Sequence, residues 1–375
     1  MRFLHLSDLH LGKRVNEFSM LEDQAYILKE ILNIIDEQKV EAVLIAGDIY
    51  DKVIPSAEAV RLLDDFLTRI AARELPVFLI SGNHDSAERI AFGSRLMSSR
   101  QIYLSPVFES DVEPVTISDR YGEINIYMLP FVKPSLVKRV YPEEEIITYQ
   151  DAVNAAVQHM QIDTDKRNIL LAHQFVTGAV RCDSEELSVG GVDDVDASVF
   201  DGFDYVALGH LHGAQYVSRP KIRYCGTLLK YSVSESTQTK SLTVVTLKEK
   251  GEKPEIACYP LHPLRDVRKK KGTLEEIIKE AGEEEKEDYI SITLTDEIDP
   301  YKPKEQLERV FSHILEIRVD NQRTRTKLKE MDEELVMKDP FTSFCEFYKE
   351  MQGREMNTQE ETIMKEIFDN VKGVE

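Results

Sequence analysis

The chain has 375 residues, of which 42% are hydrophobic and 31% are charged, and its formal net charge is −21. This length exceeds one ordinary core and predicts two or three domains, and the composition is typical of a soluble globular protein. Strong acidity argues against a broad DNA-binding surface, because affinity for DNA comes mainly from Lys and Arg displacing counterions. A nucleic-acid role would need local basic patches, a metal site or a basic partner.

The strand-like apolar runs and the helical patterns alternate along residues 1–265. The apolar runs are Phe3–Leu6, Ala42–Ala46, Val77–Ile80, Ile124–Leu129, Ile169–Ala172 and Val206–Leu208. The helical patterns are Gln24–Glu37, Ala57–Ala72 and Asp151–Met160. Runs that are apolar on both faces are typical of buried central strands, and intervening helices predict a layered α/β fold. Short β-rich pieces from Tyr216 to Leu261 predict antiparallel strands that close the sheet.

The C-terminal third is divided by two boundary signals. The basic run Arg268–Lys271 and the following Gly272 predict a domain boundary. Beyond it, two alternating helix and strand patterns predict a small α+β unit over residues 272–330. After Asp339-Pro340, two helical patterns predict a tail over residues 338–375, which has too little core of its own. The tail's apolar residues are Phe341, Phe344, Tyr348, Met351, Ile363, Ile367, Phe368 and Val371.

The cysteines and the apolar segments narrow the protein class. The four cysteines share no short spacing, which argues against a Cys-rich zinc module and a dense disulfide framework. No apolar run approaches the ~18–20 residues of a membrane helix, and the N-terminal residues lack the apolar region of a signal peptide. We therefore expect a cytoplasmic protein.

Acidic, amide and imidazole side chains follow the predicted central strands. They are Asp8, His10, Asp48, Asn83, His84, Asp85, His173, His210 and His212. Because ligands of open α/β sheets lie beyond the carboxyl ends of the strands, we expect these side chains to meet at one edge. His5 lies inside the first strand and is predicted to be a packed core residue.

The chemistry of this set is that of a two-metal site. Asp8 and His10, two residues apart on an extended chain, can bind one ion, and His210 and His212 have the same spacing. Asp48 can bridge two cations through its two oxygens. Carboxylate, imidazole and amide ligands without thiolate favour Mn, Fe or Zn over an Fe–S cluster or a structural zinc. Two cations ~3.5–4 Å apart activate water and stabilise the charge of an in-line phosphoryl displacement.

The ordered motifs Asp-x-His, Gly-Asp, Gly-Asn-His-Asp, a lone His after a strand, and Gly-His-x-His resemble the signature of the calcineurin-like metallophosphoesterases. The resemblance implies a four-layer α/β/β/α sandwich over residues 1–265. Within this superfamily the chain resembles the SbcD family of bacterial nuclease subunits, and the likeness extends through the small unit to the tail. It implies a DNA-capping role for residues 272–330 and docking of Phe341–Val371 on the SMC-like ATPase subunit, SbcC.

The same resemblance implies two divalent ions, Mn²⁺ by preference. One ion would be held by Asp8, His10, Asp48 and His212, and the other by Asp48, Asn83, His173 and His210. His84 would be the catalytic imidazole, protonating the leaving 3′ oxygen or stabilising charge on the phosphate. Asp85 would fix a histidine tautomer. Archaeal relatives place a His where this chain has Asp51, which could orient His84 or raise its pKa.

The leading hypothesis is a two-metal DNA nuclease that acts with the ATPase in repair and recombination. Metal-activated water would attack DNA phosphodiesters, giving double-strand 3′→5′ exonuclease and single-strand or hairpin endonuclease activity. A small-molecule phosphodiesterase or protein phosphatase would use the same motifs, but it would not need the extra C-terminal ~110 residues. A non-catalytic scaffold is a third hypothesis, against which the complete ligand set argues.

The contact surfaces are also expectations from the sequence and the resemblance. The basic run Arg268–Lys271 and a second cluster are the expected places for a phosphate backbone. The second cluster is Arg323, Arg325, Lys327 and Lys329. The resemblance implies a homodimer, within a heterotetramer, through helices near Pro55–Ile70 and Ser86–Met97. Ala91, Phe92 and Leu96 could form its apolar stripe, or could equally face the sheet.

Overall fold

The computed structural model describes residues 1–182, 194–325 and 340–372. The chain divides into two units, each with its own internal contacts. The larger comprises Met1–Lys270, Ala281–Ile292 and Glu305–Glu316, and the smaller comprises Lys271–Glu280, Thr293–Lys304 and Ile317–Glu375. In the described ranges, no helix combines the length and the apolar character needed to cross a membrane.

The first sheet of the larger unit has six strands, three of which lie where the sequence predicts them. In spatial order they are Glu255–Pro260, Ser241–Thr246, Arg2–Leu6, Ala42–Ala46, Val77–Ile80 and Ile102–Leu104. The last four strands run parallel, with Phe3 opposite Ala42 and Val43 opposite Val77. The first two are antiparallel additions, which confirms the predicted closing strands.

The second sheet also has six strands and carries the later polar strand ends. In spatial order they are Gln215–Val217, Arg219–Tyr224, Tyr205–Gly209, Arg167–His173, Gly122–Met128 and Val115–Asp119. The four central strands are parallel, and a strand at each edge is antiparallel to its neighbour. The edge strand Val115–Asp119 was not predicted, because its residues alternate between half-buried and exposed positions instead of forming an apolar run.

The two sheets pack face to face with helices on their outer faces. Phe3, Leu44 and Phe78 of the first sheet pack in one cluster with Ile126 and Leu171 of the second. The first sheet's outer face packs against Leu21–Gln38 and Ala57–Ala71, and the second sheet's against Pro134–Val140 and Tyr149–Gln158. Side chains therefore alternate between two apolar layers, which explains strands that are buried throughout. The predicted four-layer α/β/β/α fold is confirmed.

The buried imidazole of His5 ties the two sheets together. Its Nε2 donates to the Leu208 carbonyl at 3.1 Å, and its Nδ1 lies 2.9 Å from the Tyr205 hydroxyl. Burial, with the charge of Arg223, lowers the pKa of His5 to about 3, so the ring stays neutral. The prediction that His5 is a packed core residue is confirmed.

The predicted helix over Ser86–Met97 is corrected by the structure. Two four-residue helices, Ala87–Ile90 and Ser94–Met97, replace it because Gly93 has a φ of +75° and interrupts the helical backbone. Phe92 and Leu96 are 84% and 80% exposed. These two side chains therefore do not face the sheet.

A three-stranded sheet follows the two large ones. Its strands, in spatial order, are Val267–Gly272, Tyr289–Leu294 and His313–Val319, and its helices are Leu274–Lys279 and Pro303–Leu307. Thr273 caps the first helix in a reciprocal capping box with Glu276. The basic run Arg268–Lys271 is thus part of a strand.

The tail forms the two predicted helices, Pro340–Gln352 and Thr358–Lys372. They pack on each other through Phe368, whose ring centroid lies 5.8 Å from that of Phe341 and 5.7 Å from that of Phe344. These three rings of the predicted apolar face are therefore engaged within the tail. Phe347, Met351, Ile363 and Ile367 are instead 58%, 66%, 57% and 48% exposed.

Candidate metal centre

The polar strand ends meet at one edge of the two sheets. Asp8 and Asp48 follow strands of the first sheet, whereas His173 ends a strand of the second and His210 follows one. Backbone hydrogen bonds fix the loops, since the Asp8 amide donates to the Gly47 carbonyl and the His10 amide to the Asp48 carbonyl, both at 3.0 Å. The predicted convergence of residues some 200 positions apart in sequence is therefore present.

Four of these residues have strained backbone conformations. The φ angles of Asp8, His10, Asp48 and His210 are +52°, +44°, +50° and +103°. A non-glycine residue in such a region costs on the order of 1–3 kcal/mol, and such residues cluster at functional sites. Strain at four positions of one set is therefore evidence of function that is independent of the residue types.

Two glycines let the strand ends approach each other. A Cβ at Gly82 would lie 2.1 Å from Oδ1 of Asp48, and one at Gly47 would lie 2.4 Å from Nδ1 of His173. Both distances are far below van der Waals contact. The Gly-Asp and Gly-Asn motifs therefore need glycine because a neighbouring polar side chain occupies the space of a Cβ.

Asp48 lies at the middle of the cluster. Its Oδ2 lies 3.3 Å from Nε2 of His173 and 3.7 Å from Nε2 of His10. Its Oδ1 accepts the backbone N–H of His84 at 2.9 Å. On one side Asp8, His10 and His212 offer ligand atoms within 4.8 Å of one another.

Asn83 adds a neutral oxygen on the other side of the cluster. Its Oδ1 lies 3.0 Å from Nε2 of His173 and 3.1 Å from Nδ1 of His210. Nδ1 of His173 donates to the Ala46 carbonyl at 2.8 Å, which turns Nε2 toward Asp48 and Asn83. The seven predicted ligand positions are thus brought together.

The carboxylates and imidazoles of the centre have opposed pKa shifts. Burial raises the pKa of Asp8 to about 6, although the charge of His173 opposes the rise. Against the effect of burial, the charges of His173 and His10 hold the pKa of Asp48 below its usual range. Also against burial, the Asp48 carboxylate raises the pKa of His173 to about 9. The centre therefore attracts positive charge, which protons or a divalent cation can supply.

His10 provides the test of whether a metal ion fits. Its side chain is 1% exposed, and neither ring nitrogen has a hydrogen-bond partner among the described residues. A buried polar atom without a partner costs about 1–3 kcal/mol. A divalent cation bound to Nε2, beside Oδ2 of Asp48, would remove this penalty, so the residues fit such an ion.

His84 borders the centre and is held by an unexpected group. Its Nδ1 donates to the backbone carbonyl of Asp51 at 3.2 Å, and its Nε2 lies 4.0 Å from Oδ2 of Asp48. The Asp51 carboxylate instead pairs with Nζ of Lys13 at 2.8 Å. The expectation that this carboxylate orients His84 is therefore corrected, because the backbone carbonyl makes the contact.

Asp85 also has a different contact from the one predicted. Its carboxylate accepts the backbone N–H groups of Ile49, Tyr50 and Gly82 at 2.9–3.0 Å. Burial, with the charge of Asp48, raises the pKa of Asp85 to about 6. Asp85 ties two strand ends together and does not hold a histidine tautomer among the contacts that the described ranges contain.

The carboxylate that contacts a histidine of the centre is Glu235, which the sequence did not reveal. Its Oε1 lies 3.0 Å from Nδ1 of His212, and its Oε2 accepts from Nζ of Lys240 at 2.6 Å. Against burial, the His212 hydrogen bond and the Lys240 charge lower the pKa of Glu235 to about 2. The carboxylate is therefore ionised, and Nδ1 of His212 carries the proton. Nothing in the local sequence marks either residue as buried.

Comparisons with known proteins agree with this site. A model of the calcineurin-like phosphoesterase family matches residues 1–214, and the SbcD_C model, described as a type 5 capsule protein repressor C-terminal domain, matches residues 260–352. Two relatives named as the SbcD subunit of the SbcCD nuclease, from Staphylococcus epidermidis and Staphylococcus saprophyticus, are each 32% identical over 98% of this chain and 98% of their own. A solved dimetal phosphatase from Danio rerio is 13% identical, covers 69% of this chain and 99% of its own, and has a TM-score of 0.39.

Together the fold and the site define a calcineurin-like phosphoesterase, which implies divalent metal ions. Such a domain hydrolyses phosphate esters, and the relatives that match across the whole chain narrow the substrate. The chain belongs to the SbcD family of nuclease subunits and is a metal-dependent nuclease.

Proposed function

We propose that this chain cleaves DNA phosphodiesters with two Mn²⁺ ions as the nuclease subunit of a complex with an SMC-like ATPase, SbcC. The proposed activities are double-strand 3′→5′ exonuclease and single-strand or hairpin endonuclease activity, and the proposed roles are DNA repair and recombination. The observation that carries the proposal is the meeting of seven ligand-type side chains around Asp48 and the unpartnered ring of His10. The relatives' printed name supplies the nuclease substrate class and the second subunit.

The proposed ligand sets follow the two sides of Asp48. One ion would be held by Asp8, His10, Asp48 and His212, and the other by Asp48, Asn83, His173 and His210. Short contacts on each side support this division. Bound divalent ions would supply Lewis-acid activation of water and neutralise charge on the phosphate. Carboxylate, imidazole and amide donors without thiolate support Mn²⁺.

We assign His84 to proton transfer or charge stabilisation at the leaving group. Because a carbonyl only accepts hydrogen bonds, Nδ1 of His84 carries a proton toward Asp51, and Nε2 faces Asp48. Nε2 is therefore the atom that can hold a proton and release it to an oxygen of the substrate. The side chain is 19% exposed, which leaves it accessible to a polymer entering from solvent.

DNA is proposed to meet this acidic chain partly through its partner. Acidic residues neutralise much of the two basic clusters: Arg268 pairs with Asp288 at 2.6 Å, and Asp320 pairs with both Lys271 and Arg325. Lys327 and Lys329 lie outside the described residues. This pairing supports the expectation that the ATPase supplies most phosphate contacts. The capping role of residues 272–330 remains a proposal on the same footing.

The tail helices are the proposed contact with the ATPase. Ile363 and Ile367 are about half exposed on one helix, and exposed apolar side chains one turn apart suit docking in an apolar groove. Ile363→Glu with Ile367→Glu should abolish co-purification with the ATPase. Thr362→Glu, on an exposed position of the same helix, should leave it intact. Equal co-purification of both variants would contradict the assignment.

A homodimer is proposed through the surface that contains Phe92 and Leu96. Both side chains are more than three-quarters exposed, which is unusual for large apolar residues and typical of an interface. Sedimentation of the wild-type chain should give a dimer, and Phe92→Ser with Leu96→Ser should give a monomer. A wild-type monomer, or a dimer that survives both substitutions, would contradict this proposal.

The nuclease proposal is tested with labelled duplex and hairpin DNA and purified chain, with and without ATPase and ATP. Cleavage should require Mn²⁺ and should be lost in His84→Gln and Asp48→Ala. The alternative, a small-molecule phosphodiesterase or protein phosphatase with the same centre, predicts turnover of phosphomonoesters or cyclic nucleotides and no cleavage of DNA. That second result would overturn the proposal.

A further inference from the structure

A second group of ligand-type side chains shares His212 with the catalytic centre. The thiol of Cys182, the imidazole of His212 and the carboxylate of Glu235 offer three ligand atoms within 4.8 Å of one another. His212 and Glu235 are buried, and Cys182 is half-buried and forms no disulfide. Neither Cys182 nor Glu235 belongs to the seven ligand positions around Asp48.

We propose that Cys182, His212 and Glu235 form a site for a thiophilic divalent cation such as Zn²⁺, and that occupation of this site inhibits the nuclease. Thiolate, imidazole and carboxylate are the ligand types of four-coordinate Zn²⁺. Mn²⁺ does not favour thiolate, so the two sites differ in the metal that they select. The half-buried thiol gives an ion access from solvent. The inhibitory part of this inference rests on the proposed function.

The geometry around Glu235 suits such an ion without removing Lys240. Glu235 uses Oε2 for Lys240 and directs Oε1 toward Nδ1 of His212, 3.0 Å away. Adjacent ligands of a tetrahedral ion lie about 3.3 Å apart when each bond is about 2.0–2.1 Å long. A small movement of the His212 ring would therefore let Nδ1 and Oε1 bind the same ion while Oε2 keeps its ammonium partner.

Binding at this site would remove His212 from the catalytic centre. With Nδ1 protonated toward Glu235, Nε2 of His212 carries the lone pair that the catalytic site needs. A cation on Nδ1 requires that nitrogen to be deprotonated, so the imidazole proton moves to Nε2 and the thiol proton passes to solvent. A protonated Nε2 cannot bind a second metal. The two sites therefore compete for one imidazole.

The experiment uses the full-length chain, reduced and freed of metal, and Cd²⁺ as a spectroscopic substitute for Zn²⁺. One equivalent of Cd²⁺ should produce the ultraviolet thiolate-to-cadmium charge-transfer band. Cys182→Ser and Cys182→Ala should lose the band, whereas Cys258→Ser, at an exposed cysteine, should retain it. This reading does not depend on nuclease activity. A band that is absent from the wild type, or unchanged in both Cys182 variants, would overturn the site.

The inhibitory part has its own measurement. With Mn²⁺-supported DNA cleavage as the readout, Cys182→Ser should need about tenfold more Zn²⁺ for half-inhibition, because loss of one supporting group weakens metal affinity by about 10–100-fold. Its cleavage without Zn²⁺ should equal that of the wild type, since Cys182 lies outside the catalytic set. Equal inhibition of both proteins would show that Zn²⁺ acts only at the catalytic centre and would refute the regulatory claim.

Discussion

Replacing Glu235 by leucine separates the stability of the fold from the positioning of His212. The carboxylate is fully buried, and it contacts His212 through one oxygen and Lys240 through the other. Glu235→Leu leaves the ammonium of Lys240, which is 7% exposed, without a counter-charge. A second change, Lys240→Met, removes that stranded charge and keeps an apolar side chain of similar length.

The structure gives each variant a different expected magnitude. Breaking a buried ion pair by removing one partner costs about 3–5 kcal/mol, whereas replacing both partners with apolar residues is often neutral. Glu235→Leu should therefore lower the free energy of unfolding by about that amount, and the double variant should recover most of it. Both variants lose the acceptor that fixes Nδ1 of His212. Both should consequently bind metal about 10–100-fold more weakly.

Urea unfolding of the metal-free chains measures the stability, and Mn²⁺ titration followed by electron paramagnetic resonance measures the metal affinity. A double variant that binds Mn²⁺ as tightly as the wild type would refute the claim that Glu235 positions His212. A single variant as stable as the wild type would refute the claim that the buried pair holds a charged Lys240.

Three further changes have defined outcomes. Asp119→Ala removes the bidentate partner of Arg167, in a pair only 9% and 3% exposed, and should cost about 3–5 kcal/mol in urea unfolding. Because hydrogen bonds from Arg167 outweigh burial and lower the pKa of Asp119, this loss should be complete at neutral pH and should shrink as the pH falls below about 4. Gly82→Ala should displace Asp48 and abolish tight Mn²⁺ binding, whereas Gly213→Ala, whose Cβ would meet nothing closer than 3.7 Å, should not. Removal of metal by a chelator should abolish cleavage, and Mn²⁺ should restore it.

Each of these outcomes has a contradicting result. Glu123→Ala breaks the exposed pair with Lys166 and should cost no more than about 1 kcal/mol, so equal losses for Asp119→Ala and Glu123→Ala would refute the argument from burial. Equal Mn²⁺ affinity in Gly82→Ala and Gly213→Ala would show that the close approach to Asp48 is unimportant. Cleavage that survives chelation would refute a metal-dependent reaction.

Much of the fold could be predicted because strands buried on both faces leave a distinct sequence pattern. Residues 42–46 and 77–80 were predicted to the residue, since each is a short apolar run that ends in a polar motif. The same property located the site, because the polar residue after each run lies at the carboxyl edge of its sheet. Edge strand Val115–Asp119 has no such run and was missed.

The support of the site could not be predicted because it depends on contacts far apart in sequence. Glu235 lies 23 positions after His212, and its burial follows from packing that no local pattern records. The contact of His84 with Asp51 uses a backbone carbonyl, which every residue has, so the side-chain type misled the prediction. Gly93 shows the converse, since its positive φ ended a helix that periodicity had continued.

The central claim is that one cluster of seven side chains holds two divalent ions that carry out phosphodiester hydrolysis. The most direct measurement is the number of Mn²⁺ ions bound per metal-free chain, taken with DNA cleavage on the same samples of the wild type and Asp48→Asn. We predict two ions for the wild type, weakened binding of both in Asp48→Asn because Asp48 bridges them, and loss of cleavage in step. A single ion in an active wild-type chain, or an Asp48→Asn variant that cleaves at the wild-type rate, would contradict the account.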